Sequence, residues 1–204
     1  MSGDAVVYIV DDEETVRRSL SRLVRAAGLA AQTFTSAQAF LELEPPDRPA
    51  CLVLDVRLPG LSGLDLQATL GPRQDTVPII FITGRGSIPM SVQAMKGGAL
   101  DFLKKPVDGD LLLESIQRAL ARSREARTRE AEHSDVARRL ARLTPREREV
   151  LDLVVAGMLN KQIAARLMAA EKTVKVHRGR VMKKMEADSV ADLVRMTQKM
   201  DERP

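Results

Sequence analysis

Asp11, Asp12, Asp55, Thr83 and Lys105 are residues of the kinds that handle phosphate, and each follows an apolar run. Asp11-Asp12 follows Val6-Val7-Tyr8-Ile9-Val10, and Asp55 follows Cys51-Leu52-Val53-Leu54. Thr83 follows Ile79-Ile80-Phe81-Ile82, and a fifth run, from Ala99, closes on Lys104-Lys105-Pro106. Three carboxylates crowded together repel one another unless a cation sits among them, and an all-oxygen set suits Mg2+ with several waters retained. With a metal and a lysine neutralising the phosphoryl oxygens, a carboxylate can attack phosphorus and form an acyl phosphate. The product concentrates about 1.5 to 2 negative charges at one point. The Thr83 hydroxyl, one strand over, can donate to a phosphoryl oxygen and pass that charge on to the adjacent surface. Taken singly, an Asp after a strand is most often a turn or cap residue. Four strand ends that deliver three carboxylates, a hydroxyl and an ammonium to one rim are harder to dismiss.

A second set of residues lies near the other end of the chain. At 100° per residue, Glu171 to Met185 places Val174, Val181 and Met185 on one stripe and Lys172, Lys175, Val176, Gly179 and Lys183 opposite. The first stripe is expected to pack inward. The other face is cationic, with one methyl-bearing residue and one without a side chain, and such a face can enter a major groove. Thr173, His177, Arg180 and Lys184 flank it and are expected to hold phosphates, with Lys161 on the preceding helical stretch counted among the DNA contacts. The competing reading is a solvated charged helix face.

The elements that must position these residues follow from the hydrophobic pattern. Short apolar runs alternate with amphipathic stretches through the first 120 residues, a βαβ rhythm. The runs are apolar throughout, as strands covered on both faces must be. Five such units predict a doubly wound parallel sheet, in which ligands sit beyond the carboxyl ends of the strands. Residues 1–120 are expected to form this domain, 121–142 a helical or charged linker, and 143–204 a small all-α domain. The second start is marked by Thr144-Pro145-Arg146-Glu147, with a Thr cap, Pro at the first helical position and Glu three residues on. Helices are predicted at 145–156, 160–167, 171–185 and 189–200, two of them joined by a tight turn.

The net charge of +4 hides an asymmetry. Residues 1–120 carry 12 Lys+Arg and 15 Asp+Glu, whereas residues 121–204 carry 20 and 13. Only the second half is therefore expected to meet a polyanion. No run approaches the roughly 18 apolar residues of a membrane span, and the start of the chain lacks signal-peptide character. The expected location is the cytoplasm, with no membrane partner. The single cysteine, Cys51, lies in an apolar run and reads as a buried strand residue. His133 and His177 belong to no convincing metal or phosphotransfer set.

Val10-Asp11-Asp12-Glu13, Leu54-Asp55-Val56-Arg57-Leu58-Pro59-Gly60, Ile82-Thr83-Gly84 and Lys104-Lys105-Pro106 resemble the receiver domain of two-component response regulators. The resemblance implies an α/β, flavodoxin-like, doubly wound five-stranded sheet. It also implies Asp55 as phosphoacceptor, a sensor histidine kinase as donor, and Mg2+ held by Asp12, Asp55 and the Arg57 main-chain carbonyl, with Asp11 as an outer-sphere ligand. By the same resemblance Lys105 is the phosphoryl partner, Thr83 and Phe102 form a switch pair, and the bond before Pro106 is cis. Phe102 stands where many members have Tyr.

Leu143 to Met200 is similar to the LuxR-type helix-turn-helix, through Leu143-Thr144-Pro145-Arg146-Glu147-Arg148-Glu149-Val150-Leu151, Asn160-Lys161-Gln162-Ile163-Ala164 and Thr173-Val174-Lys175-Val176-His177-Arg178. The two segments together resemble the FixJ and NarL group of transcription regulators. Such a protein is a phosphate acceptor rather than an enzyme. It binds promoter DNA, forms a homodimer when phosphorylated and has RNA polymerase as a further partner. This chain departs from the group at Met168-Ala169-Ala170, where a Gly turn and a Ser or Thr cap are usual. It departs again at Gly179, where some relatives carry a base-contacting side chain.

Three other readings remain. Haloacid-dehalogenase-type phosphatases also use an Asp nucleophile, but need a second Asp two residues on, where this chain has Arg57. A structural DNA-binding protein would leave the acidic rim unexplained. A phosphorylation-independent regulator would keep the pocket as a relic, against which stand the intact Asp11, Asp12, Asp55, Thr83 and Lys105.

Overall fold

The computed structural model describes residues 5–44, 46–84 and 88–201, with side chains described as far as residue 198. By its internal contacts the chain divides into two units between Thr128 and Arg129.

The first unit is built on five strands, β1 (Val6–Val10), β2 (Ala30–Phe34), β3 (Ala50–Asp55), β4 (Ile79–Thr83) and β5 (Asp101–Lys104). All pairs are parallel, and the order is β2-β1-β3-β4-β5. The helices are α1 (Glu14–Ala26), α2 (Ala37–Leu41), α3 (Gly63–Leu70), α4 (Ile88–Lys96) and α5 (Gly109–Ala141), with a 3-10 turn at Gly71–Gln74. Alternate strand residues serve opposite faces. Val6, Tyr8, Val10, Leu52, Leu54, Ile79 and Phe81 pack with Phe40, Leu66, Leu70 and Ala94 of α2, α3 and α4. Val7, Ile9, Cys51, Val53, Ile80 and Ile82 pack with Leu20 and Val24 of α1 and Leu112, Ile116 and Ala119 of α5. The strands are apolar throughout because both faces are covered. Cys51 is fully buried, and burial pushes its thiol well above the usual range, which keeps it an unreactive core residue.

Register brings the strand ends together. Val10 lies opposite Leu54, so Asp11 and Asp55 emerge side by side, and Thr83 lies opposite Lys104. The chain order reverses between β1 and β3, which opens a crevice at their carboxyl ends.

Helix α5 keeps its hold on this unit beyond Leu120, where the apolar pattern fades. Buried Ser123 donates to the Thr76 carbonyl at 2.5 Å and accepts from Ala50 N at 3.0 Å, and Arg127 donates to the Pro46 carbonyl at 2.8 Å. Polar contacts of this kind leave no hydrophobic signature. The helix continues to Ala141, so residues 121–141 are helical.

The second unit holds the last turns of α5 with α6 (Pro145–Val155), α7 (Asn160–Arg166), α8 (Glu171–Met185) and α9 (Val190–Asp201). Its core is Val136, Val150, Leu151, Val154, Ile163, Val174, Val181, Met185 and Leu193. Thr144 and Glu147 form the reciprocal capping box that starts α6. Among the described residues, no helix is long and apolar enough to cross a membrane.

Candidate functional site

The acidic pocket lies over the β1–β3 crevice. Asp11 and Asp55 are buried, and Asp12 is exposed at the lip. Each of the three offers a carboxylate oxygen within 4.8 Å of the other two. Backbone donors aim two of these side chains, with Glu13 N on Asp11 Oδ1 at 2.9 Å and Arg57 N on Asp55 Oδ1 at 3.1 Å. The Lys105 ammonium reaches Asp11 Oδ2 at 2.6 Å, Asp55 Oδ2 at 2.8 Å and Glu13 Oε1 at 3.4 Å.

The electrostatics follow from this geometry. Burial raises the Asp11 carboxyl above its ordinary value, against the opposing pull of Lys105 and of Glu13 N. Burial works to lower Lys105, but its hydrogen bonds to Asp11 and Asp55 outweigh that and hold it well above the usual lysine range, so it stays charged. Three carboxylates, those of Asp11, Asp55 and Glu13, pair with one ammonium, and Asp12 lies beside Asp11 and Asp55, which leaves a strongly negative site lined by oxygen. Donors of that type and spacing fit a hard divalent cation.

Thr83 closes the pocket's other side, with 1% of its surface exposed, and its carbonyl accepts from Lys105 N at 2.8 Å. Phe102 is half-buried, with its ring tilted against Phe81 at 6.2 Å between centroids. The Lys105–Pro106 peptide bond is cis. The structure therefore brings Asp11, Asp12, Asp55, Thr83 and Lys105 to one rim, with Phe102 one strand away from Phe81.

In the second unit, α8 buries Val174, Val181 and Met185 and exposes Lys172, Thr173, Lys175, Gly179, Arg180 and Lys183. Val176 is 48% exposed, and a Cβ added to Gly179 would meet nothing within 4 Å. Lys161 is exposed on α7, and His177 is half-buried. Lys184 differs from the expectation of a phosphate contact. Its Nζ lies 2.6 Å from Glu147 Oε2 and donates to the Arg142 carbonyl at 3.0 Å, so its long stem turns inward. The missing cap is seen directly, because Ala170 at the start of α8 offers no side-chain acceptor. In the turn before it, Met168 holds φ +48°.

Comparison with known proteins agrees with both halves. Residues 7–117 match the response regulator receiver domain family, and residues 141–197 match the bacterial regulatory proteins of the luxR family. The chain is 50% identical over 197 residues to nodulation protein W of Bradyrhizobium diazoefficiens, covering 97% of this chain and 87% of that protein. It is 45% identical to the transcriptional regulatory protein FixJ of Rhizobium meliloti, covering 95% of each. Among solved structures, that of the response regulator StyR superposes with a TM-score of 0.86 at 44% identity, covering 96% of this chain and 99% of that one. The chain belongs to the response regulators.

This response regulator is of the two-component, DNA-binding kind, with a LuxR-type helix-turn-helix joined to its receiver. Neither matched family is a family of enzymes. Three residues that shape its pocket escaped the sequence reading. Arg17, on α1, donates from one guanidinium nitrogen to the Asp11 and Asp12 carbonyls at 2.7 and 2.8 Å, which clamps the loop carrying both carboxylates. Its signal is an Arg five residues beyond Asp12, on the first helix after the loop. Glu13 reaches Lys105 from the lip. Gly63 opens α3 directly behind the site, where a Cβ would fall 2.3 Å from the Asp55 carbonyl oxygen. Only the folded chain exposes that constraint.

Proposed function

We propose that this response regulator accepts a phosphoryl group on Asp55 from a sensor histidine kinase and thereby changes its binding to promoter DNA. The observation that carries this reading is the buried Asp55 carboxylate, held by Lys105 at 2.8 Å beside two further aspartates. Asp12, Asp55 and the Arg57 carbonyl would hold Mg2+, with Asp11 acting through a bound water. The metal supplies charge neutralisation for the phosphoryl oxygens. Asp55 then attacks phosphorus through a carboxylate oxygen, the bond from phosphorus to the donor's imidazole nitrogen breaks, and that nitrogen keeps the electron pair. Lys105 transfers its ammonium from the carboxylates to the new phosphoryl oxygens, and Thr83 donates its hydroxyl to one of them. Thr83 and Phe102 move together as the switch.

The output is read by α8 in the major groove. Lys172, Lys175, Val176, Gly179 and Lys183 face the bases, while Lys161, Thr173, His177 and Arg180 lie at the sugar-phosphate backbone. Phosphorylation drives a homodimer through the α4 and β5 face, a role supported by Ile88, Val92 and Met95 lying exposed at helical spacing on α4. Two copies would set their recognition helices about one DNA turn apart on a palindromic site. The protein works in the cytoplasm, with RNA polymerase as a further partner.

Intact-protein mass after treatment with acetyl phosphate and Mg2+ tests the chemistry. The native chain gains a single phosphoryl adduct and Asp55→Asn gains none. No adduct on the native chain, from either acetyl phosphate or a kinase, would favour the phosphorylation-independent regulator.

A further inference from the structure

The two ends of the recognition helix are held very differently. At its start α8 follows a strained turn, has no side-chain cap, and is tied by backbone bonds from Thr173 N and Val174 N to the Ala170 carbonyl. Midway, Arg178 reaches Asn160 of α7 at 3.0 Å. Its C-terminal end is fastened at several points. Lys184 joins Glu147, whose side chain is 3% exposed and whose Oε2 also accepts from Thr144 N at 2.9 Å. The same ammonium donates to the Arg142 carbonyl. Arg139, from the last turn of α5, donates to the Met185 carbonyl at 2.9 Å and pairs with Glu186 at 3.2 Å. Glu186 itself caps the helix in the left-handed conformation at φ +54°. A cation on the last carbonyls of a helix also complements its dipole.

We infer that Lys184 and Arg139 are positioning residues for DNA reading. They fix the C-terminal turn of α8 against the capping box of α6 and the end of α5, and neither touches DNA. The inference rests on the proposal that α8 reads DNA. With no side-chain cap at its N-terminus, the angle at which the helix enters a groove depends on this joint. Lys184, which on a helical wheel looks like a phosphate contact beside Lys183, is removed from that role by its geometry. A charge-assisted bond to the buried Glu147 holds it, and releasing it would strand the Glu147 carboxylate.

The salt dependence of binding separates the two roles. Each phosphate contact adds about 0.9 to the slope of log affinity against log salt on duplex DNA, and a positioning residue adds nothing. The probes are a duplex selected from a random pool with the full-length native chain, and a scrambled duplex of equal length. The test variant is Glu147→Gln/Lys184→Met, because Gln can still accept from Thr144 N and no buried charge is left alone. Arg139→Met is a second, independent variant. Arg180→Met serves as the phosphate-contact comparator, and circular dichroism checks that each chain is folded.

The expected result for both test variants is an affinity loss on the order of tenfold for the selected duplex, equivalent to one charge-assisted hydrogen bond. The salt slope and the affinity for scrambled DNA should stay unchanged, while Arg180→Met lowers the slope. A slope lowered by about 0.9 in the Lys184 variant, on both duplexes, would make Lys184 a phosphate contact and overturn the inference. Unchanged affinity in folded variants would overturn it too. A native chain that selects no duplex would instead refute the DNA-reading proposal, and this inference with it.

Discussion

A single methyl group added at Gly63 would strike the backbone that carries Asp55. The Cβ of Gly63→Ala would lie 2.3 Å from the Asp55 carbonyl oxygen and 3.1 Å from Val56 Cα, whereas real Cβ contacts essentially never fall under 3.0 Å. Relief therefore requires a displacement of about 0.7 Å, and the obstacle is main chain, which no rotamer change can move aside. Gly63 N also donates to the Val56 carbonyl at 3.0 Å, so the start of α3 and the end of β3 are tied where they would have to part. Overpacking a well-filled site costs about 1 to 3 kcal/mol, and backbone obstruction places this variant in the upper part of that range. The shift also moves Asp55 relative to Asp11 and Lys105, which now meet within 2.8 Å. Urea unfolding followed by circular dichroism gives the stability, and the rate of phosphoryl incorporation from acetyl phosphate gives the effect on the site. A loss of about 2 to 3 kcal/mol with markedly slower incorporation is expected. A Gly63→Ala chain as stable as the native one and labelled at the same rate would refute the packing argument.

Two further predictions concern the helix-turn-helix unit. The hydrogen bond from Lys184, helped by Thr144 N, lowers the Glu147 carboxyl from its ordinary value of 4.5 to about 2, so its stabilising effect is full above pH 4.5 and is lost as pH falls towards 2. Denaturant titrations at a series of pH values should therefore show the stability gap between native and Glu147→Gln chains shrinking across that window, and a constant gap would contradict the assignment. Met168→Gly relieves a left-handed conformation worth about 1 to 2 kcal/mol, partly offset by the greater freedom of glycine in the unfolded chain. With Met168 95% exposed, no burial is lost. The expected outcome is a urea midpoint for the C-terminal transition raised by an amount equivalent to about 0.5 to 1 kcal/mol, and a lowered midpoint would show that the turn is not strained.

The pocket was legible because a parallel strand covered on both faces must be apolar, so the first polar residue after each run marks the carboxyl edge of the sheet. Asp11, Asp55, Thr83 and Lys105 all sit at such breaks. Arg17 was not legible, since its reach to two carbonyls depends on the path of the loop before α1. Gly63 was hidden because a close backbone approach leaves no periodic trace. The same limit applied to Lys184: a helical wheel gives the direction of Cβ, but a four-carbon stem can carry the ammonium to either side. Ser123 and Arg127 extend the first unit's grip on α5 through polar bonds, which an apolar pattern cannot register. The left-handed turn at Met168 was foreshadowed by the absent glycine, though its strain appears only in the backbone angles.

The proposed control of DNA binding by charge placed on Asp55 is measured most directly by the affinity of the full-length chain for its selected duplex. Fluorescence anisotropy at fixed salt, with Mg2+, would compare native and Asp55→Asn chains before and after treatment with acetyl phosphate. The expected result is a gain in affinity for the native chain on phosphorylation and none for Asp55→Asn. An equal gain in both, or no gain in a native chain shown by mass to be phosphorylated, would contradict it.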